Sequence, residues 1–365
     1  MLRSIQMLSP WLCAVATCGD AVDQDGFIVR FNLTNPERTF SEKVLAKFGR
    51  GPSAPEIFRR FLIEKKITHL LVHYAEMALA TEVSWKDLGI KVFVFCHGKD
   101  VHHDARTESF PFHRVHREDY PERLKSLSSE VRFFANSTHT KKCLLGFGIQ
   151  DSKISVLHQG VEPNFRSRER IASERCQFLF LGRMVDFKGP DLVVRAFLRA
   201  IESGLHEAKL VMAGDGPLMT TCRLLVAESP YGDQVHFTGY VDQKEAIRLL
   251  NESDVFVSAH RRGPLSNRVE AYGVAVLEAM AAALPVIAGD SGGVVDTVVD
   301  QQTGFLLPPG DEPALREAMK LLSEDLQMRK RMGEAGRKRV EGQFSFEVQK
   351  RNMVRLMHLN GGEKT

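Results

Sequence analysis

Residues 178–197 read FLFLGRMVDFKGPDLVVRAF. The opening Phe178, Leu179, Phe180 and Leu181 are bulky and apolar without alternation. That is how a strand buried on both faces of a parallel sheet reads. Gly182 and Arg183 follow the strand, then Lys188 and Gly189. From residue 191 to 202 the apolar residues recur at amphipathic helical spacing. One strand, one charged turn and one helix make a βα unit.

The unit recurs in both directions along the chain. Further strands are expected at 210–213, ended by Gly214–Asp215–Gly216–Pro217, and at 235–238, 254–258 and 285–288. Helices are expected at 242–252, where Asp242 and Glu245 suit an N-cap pair, and at 274–283, 312–322, 326–340 and 344–359. In the first half the strands fall at 28–33, 67–74, 92–96, 132–135 and 155–158. Helices fall at 54–66 and at 141–147, after the polar run 136–140. Residues 98–123, rich in His, Arg and Asp, read as a long loop. No repeat of fixed period is present. Alternating strands and helices imply α/β domains with doubly wound, right-handed parallel sheets. The polar, charge-dense stretch 160–176 with Pro163 marks a seam, so the chain reads as two Rossmann-like domains.

Composition agrees. The chain has 365 residues, 43% hydrophobic and 26% charged, an ordinary globular balance that excludes disordered and collagen-like classes. No apolar run reaches the ~20 residues of a membrane-spanning helix. A net charge of +3 is too small to argue for nucleic acid. It is uneven: residues 1–175 carry +5 (26 Lys+Arg against 21 Asp+Glu), residues 176–365 carry −2 (23 against 25). Six scattered cysteines show no zinc spacing and read as free thiols of a reducing, cytoplasmic setting. The N-terminus imitates a signal peptide only weakly, because Pro10 breaks its apolar stretch and aspartates follow.

In open α/β sheets ligands bind beyond the carboxyl ends of the strands. His97 follows the strand at 92–96. Arg183 and Lys188 follow 178–181. A loop from Ala259 to Val269 follows 254–258 and ends at Glu270, with Gly273 and a helix carrying Glu278 next. These groups suit a sugar joined to a nucleoside diphosphate. Arg183 and Lys188 would offset charge on the leaving diphosphate. A helix beginning near Gly273 points free N–H groups at an anion. Glu278 can accept two hydrogen bonds from a ribose diol, and Glu270 can hold sugar hydroxyls. Each residue alone has an ordinary reading as a surface charge or turn residue. Their joint order at successive strand ends is the signal.

Together FLFLGRMVDFKGPDLVVRAF, LVMAGDGP, VHFTGYV, EAYGVAVLEAMAAALPVIAGDSGGVVDTV and TGFLLPPGD resemble the family 4 glycosyltransferases, retaining enzymes of the GT-B fold. The resemblance covers roughly residues 135–341. Over the first hundred residues it rests on THLLVHYAEMALA and VFVFCHGKD alone. It implies that Arg183 and Lys188, with Gly182 before them, bind the donor diphosphate, that Glu270 and His97 contact the transferred sugar, and that Glu278 contacts the ribose. It also implies that Gly273 and Val274 lie near sugar and phosphate, and that backbone near Tyr240 and Val241 holds the base. The implied domains are an acceptor-side domain at 1–165, a nucleotide-sugar domain at 176–343, and a C-terminal helix at 344–365 crossing back.

Two departures stand out. Many members open with a strand and a glycine-rich loop, and Met1–Gly19 shows no such pattern. Asp296 stands where many members carry Glu. The loop 260–268 adds Arg261, Arg262 and Arg268, either phosphate contacts or a solvated loop.

The implied reaction is front-face sugar transfer to an acceptor hydroxyl with retention, in polysaccharide or glycolipid assembly. The implied partners are a nucleotide-sugar donor and a carbohydrate or lipid-linked acceptor, the latter with peripheral membrane contact. No cofactor and no metal are expected. Asp23–Gln24–Asp25 imitates a metal motif outside any strand-end context, and His97, His102 and His103 lack a regular ligand set. Two rival readings share these residues: a non-catalytic nucleotide-sugar-binding protein and a GT-B nucleotide-sugar epimerase.

Overall fold

The computed structural model describes residues 14–17, 29–32, 53–101, 119–162, 175–205 and 207–359. The first strands, β1 (Ala14–Thr17) and β2 (Val29–Asn32), form a parallel pair. The next four, β3 (His69–His73), β4 (Lys91–Cys96), β5 (Val131–Ala135) and β6 (Ile154–Val156), form a parallel sheet in that order. Central β4 is buried from Val92 to Cys96. Helices α1 (Ala54–Glu64), α2 (Ala75–Trp85), α3 (Tyr120–Leu127) and α4 (Thr138–Gly146) cover it. A capping box starts α1, with Ser53 and Glu56 satisfying each other's backbone N–H.

The second sheet holds β7 (Cys176–Leu181), β8 (Ala208–Ala213), β9 (Val235–Gly239), β10 (Val255–Ser258), β11 (Val286–Gly289) and β12 (Gly304–Leu307). All pairings are parallel, in the order β12-β11-β10-β7-β8-β9. This is the doubly wound dinucleotide-fold order, and its direction reverses between β7 and β10. The strand period of two splits FLFL between two cores. Phe178 and Phe180 face α5 (Pro190–Glu202), α6 (Met219–Ala227) and α9 (Glu312–Glu324). Leu179 and Leu181 face α7 (Gln243–Glu252), α8 (Val274–Ala281) and α10 (Leu326–Gln343).

The chain then returns to the first sheet. Phe344 still packs in the second domain's core. In α11 (Phe346–Leu356) Met353 is buried, with Met357 just beyond, against Phe93, Phe95, Phe134 and Leu157 of the first sheet. Residues 160–162 run alongside this return. Val161 N–H donates to the Phe344 carbonyl (2.9 Å), and Gly160 N–H to the Gln349 side-chain oxygen (2.8 Å).

Several elements differ from the sequence reading. Ala14–Thr17 is a strand where none was expected, since two alanines in four residues give little β signal. The expected loop 98–123 carries a short turn of helix at Lys99–Val101 and, at its far end, the start of α3; residues 102–118 lie outside the described residues. The polar run before α4 is its N-cap and first turn, with the Ser137 hydroxyl accepting from Thr140 N–H at 3.0 Å. Three elements carried too little pattern to be expected. The buried face of α2 includes Ala75, Ala78, Thr81 and Ser84, α6 buries only Cys222 and exposes Leu224, and β12 opens on Gly304 with three apolar residues behind it. Asp23, Asp25, His102, His103 and most of the seam lie outside the described residues.

Candidate active site

The order reversal between β7 and β10 opens a crevice at their carboxyl ends. Glycines pack the neighbouring ends together. Gly214, at φ +132°, could not carry a side chain, because a Cβ there would lie 2.0 Å from the Gly182 carbonyl oxygen. Lys188 folds back over Gly182, with its Cδ 3.5 Å from where a Gly182 Cβ would stand. The Lys188 carbonyl accepts from Ala259 N–H (3.1 Å) and the Ser258 hydroxyl (3.2 Å), joining the turn after β7 to the end of β10.

The loop after β10 wraps around Asp186. This buried carboxylate accepts from Leu265 N–H (2.9 Å), Ser266 N–H (2.7 Å) and the Ser266 hydroxyl (2.7 Å). Burial pushes its pKa up, but these bonds outweigh burial and hold it below the usual value. Arg261 donates to both Asp191 oxygens at 3.0 Å, and Arg262 to the Asn267 carbonyl at 3.1 Å. Two of the three loop arginines therefore already have partners within the protein. Asp186 and Asp191 carried no sequence signal for this role beyond their place after a strand.

The loop delivers Glu270 to Lys188. Their Nζ and Oε2 lie 2.5 Å apart, both side chains about 15% exposed (15% and 14%). The other carboxylate oxygen accepts from Gly273 N–H (3.2 Å) and Tyr272 N–H (3.4 Å). Gly273, at φ +87°, caps α8, and Val274 begins the helix. Glu270 thus sits between an ammonium and a helix N-terminus. Burial would raise its pKa; Lys188, His260 and the hydrogen bonds overcome burial and hold it at about 2. His260 is a site neighbour the sequence did not single out. It is 1% exposed, and burial and Lys188 push its pKa down to about 3. Its Nε2 lies 3.2 Å from the Ser258 hydroxyl, while the buried Nδ1 has no partner among the described residues.

His97 approaches from the first domain. A Cβ on Gly98 would lie 2.0 Å from the Ala271 Cβ, so His97 sits one residue from a backbone contact with the Glu270 loop. Asp100 shapes that turn. Its buried carboxylate accepts from His97, Gly98 and Ala75 N–H, each at 2.9 Å. Burial raises its pKa to about 6 against those bonds. The His97 ring lies 4.7 Å from both Tyr74 and Phe95, centroid to centroid. Further contacts join the domains. The Ser137 hydroxyl donates to the Ala271 carbonyl (2.6 Å), and Tyr272 OH to the Gln159 carbonyl (2.7 Å). Asp296 Oδ2 accepts from Thr138 N–H (2.7 Å) and lies 3.2 Å from His158 Nε2.

The structure therefore brings Gly182, Lys188, Glu270, Gly273 and Val274 together, with His97 beside them. Arg183 is exposed at the same strand end. Glu278 lies half-buried one turn into α8. Tyr240 and Val241 follow β9, two strands from the crevice, with Tyr240 83% exposed and Val241 packed on the core.

Comparison with known proteins bears on the fold and the family. The chain is 36% identical over 183 residues to a GDP-mannose-dependent alpha-(1-6)-phosphatidylinositol monomannoside mannosyltransferase of Mycobacterium tuberculosis, covering 50% of this chain and 47% of that protein. It is 26% identical over 273 residues to the amylovoran biosynthesis glycosyltransferase AmsK of Erwinia amylovora, covering 74% and 64%. The chain spans about half the length of the mycobacterial relative it matches. A solved structure of Anabaena HepE in complex with UDP superposes with a TM-score of 0.75 at 14% identity, covering 98% of this chain and 95% of that one. The shared fold is GT-B, as the sequence motifs implied. The family description "Glycosyltransferase Family 4" matches residues 23–165, and "Glycosyl transferases group 1" matches residues 161–339. With these two descriptions lying end to end over the domains that frame the crevice, the chain belongs to the group 1 glycosyl transferases.

Proposed function

We propose that this protein transfers a sugar from a nucleoside diphosphate sugar to an acceptor hydroxyl with retention at the anomeric carbon, in polysaccharide or glycolipid assembly. The observation that carries the reading is the cluster of Lys188, Glu270 and the Gly273 N–H at the strand-order reversal. An ammonium and a helix N-terminus offset the charge that develops on the leaving diphosphate. Arg183, exposed at the end of β7, adds a second cation. Glu270 takes the hydroxyls of the transferred sugar, and Glu278 the ribose. His97 contacts the sugar from the opposite domain. The leaving phosphate oxygen takes the acceptor's proton as the new glycosidic bond forms on the same face. Lys188, Arg183 and the helix end supply the charge that a metal supplies in other transferases.

The donor base is open to direct measurement. The mycobacterial relative is described as GDP-mannose-dependent, and HepE was solved with UDP. Thermal unfolding with UDP, GDP, ADP and their sugars is expected to give one stabilising base. At 100 times its dissociation constant, such a ligand adds about 2.7 kcal/mol. The shift should vanish in Arg183→Ala, and turnover with acceptor should fall on the order of 100-fold. Stabilisation without turnover on any acceptor would favour a binding protein, and sugar conversion without acceptor an epimerase.

A lipid-linked acceptor would bring the N-terminal half, +5 over residues 1–175, to an anionic surface. Among the described residues no helix is long and apolar enough to cross a membrane. Co-sedimentation with anionic vesicles should therefore weaken as salt rises. Salt-independent or absent binding would remove the membrane contact.

A further inference from the structure

We propose that His73 is a positioning residue that fixes the tautomer of His97, so that His97 presents its Nδ1–H to the donor sugar. The inference rests on the reading of His97 as a sugar contact.

His73 ends β3 and His97 follows β4, its neighbour in the sheet. The two ring planes are 15° apart with centroids 5.1 Å apart, and His73 Nδ1 lies 2.8 Å from His97 Nε2. Burial pushes both below the ordinary histidine range, to about 3 for His73 and about 4 for His97. Both rings are therefore neutral near pH 7, each with one N–H and one bare nitrogen.

One proton lies between the facing nitrogens, which leaves two arrangements. If His97 donates from Nε2, the His73 proton must sit on its own Nε2. Among the described residues that buried atom has no hydrogen-bond partner. If His73 donates from Nδ1, its Nε2 is a bare nitrogen and His97 carries its proton on Nδ1. Along the backbone, buried N–H groups left without an acceptor are rarer than under-satisfied acceptors. The same ordering selects the second arrangement. His97 Nε2 is then closed off by His73. The turn held by Asp100 and the Gly98–Ala271 contact set the ring beside the Glu270 loop with one N–H to offer.

The test is a long-range proton–nitrogen correlation spectrum of the full chain with labelled histidine, which separates the two tautomers. His97 is assigned by its loss in His97→Gln. His97 is expected as the Nδ1–H form in the native protein and as a mixture or the Nε2–H form in His73→Leu. His73→Asn, which keeps a donor near the Nδ1 position, should restore the Nδ1–H form. With the donor identified above, His73→Leu should lower kcat 10- to 100-fold with little change in KM, as misplacement of a contact group does. An Nε2–H form in the native protein, or a tautomer unchanged in His73→Leu, overturns the proposal. Failure of the underlying reading shows separately, as unchanged turnover in His97→Gln.

Discussion

Glu270 holds Lys188 with one carboxylate oxygen and the Gly273 N–H with the other. On the proposed function both are groups that an incoming diphosphate needs, so the carboxylate would compete with the ligand. Glu270→Gln is expected to tighten nucleoside diphosphate binding by roughly tenfold, or about 1.4 kcal/mol, while sugar transfer falls on the order of 100-fold. Titration calorimetry reads the first effect, and weaker binding in the variant would sink it. The same pair sets a pH dependence. An unfolded glutamate titrates near 4.3, whereas folded Glu270 is held at about 2 despite its burial, chiefly by Lys188. A depressed acid pKa gives stability that is full above the unfolded value and is lost as pH falls through the folded one. In Lys188→Met only burial and weaker neighbours act on the carboxyl, and its pKa rises. The fall in Tm between pH 5 and pH 3 should flatten or reverse in that variant. An unchanged slope would mean that the pair does not govern acid stability.

Elements divide by how much of their surface the core uses. The βα unit at 178–197 was legible because every residue of FLFL is buried and α5 buries a full stripe, Val193, Val194, Ala196, Phe197, Ala200 and Ile201. The motif turns were legible because glycine and charge stand where strands stop. What the sequence hid were elements whose buried faces are small or polar. Thr81 and Ser84 on α2 give no apolar period, although both are buried. His73 and Asp186 were hidden for another reason: their partners come from other elements, and no local spacing announces them. The glycine turns offer the test at this scale. Gly214→Ala puts a Cβ 2.0 Å from the Gly182 carbonyl at φ +132°, so the end of β7 must move. Thermal unfolding should drop by several degrees, about 2–4 °C per kcal/mol for a domain of roughly 150–250 residues, and nucleotide binding should weaken with it. A neutral substitution would show that the strand ends are not packed this closely.

At the scale of the whole molecule, a small set of polar groups among the described residues joins the domains. Asp296 links Thr138 at the start of α4 with His158 beyond β6, and Ser137 holds the Ala271 carbonyl. Asp296→Ala leaves α4 its Ser137 cap but removes its links to Thr138 and His158. The free protein is expected to scatter X-rays with a larger radius of gyration, and donor KM should rise more than kcat falls. An unchanged radius would place the grip elsewhere, at Ala271 and Tyr272.

The chain passes between the two sheets twice, and the passages touch. Val161 bridges to Ser345, and a Cβ on Gly160 would lie 2.7 Å from the Ser345 carbonyl oxygen. Two tethers fastened at one spot behave like the pin of a gate. The domains can swing about that spot, but they cannot slide past one another without tearing the bridge. The arc travelled grows with distance from the pin, so in such a swing the bridge at Val161 and Ser345 would stay nearly still while Gly98 and Ala271 would part and meet. A substrate would then be admitted by rotation alone, and each closure would return His97 to the same place beside Glu270.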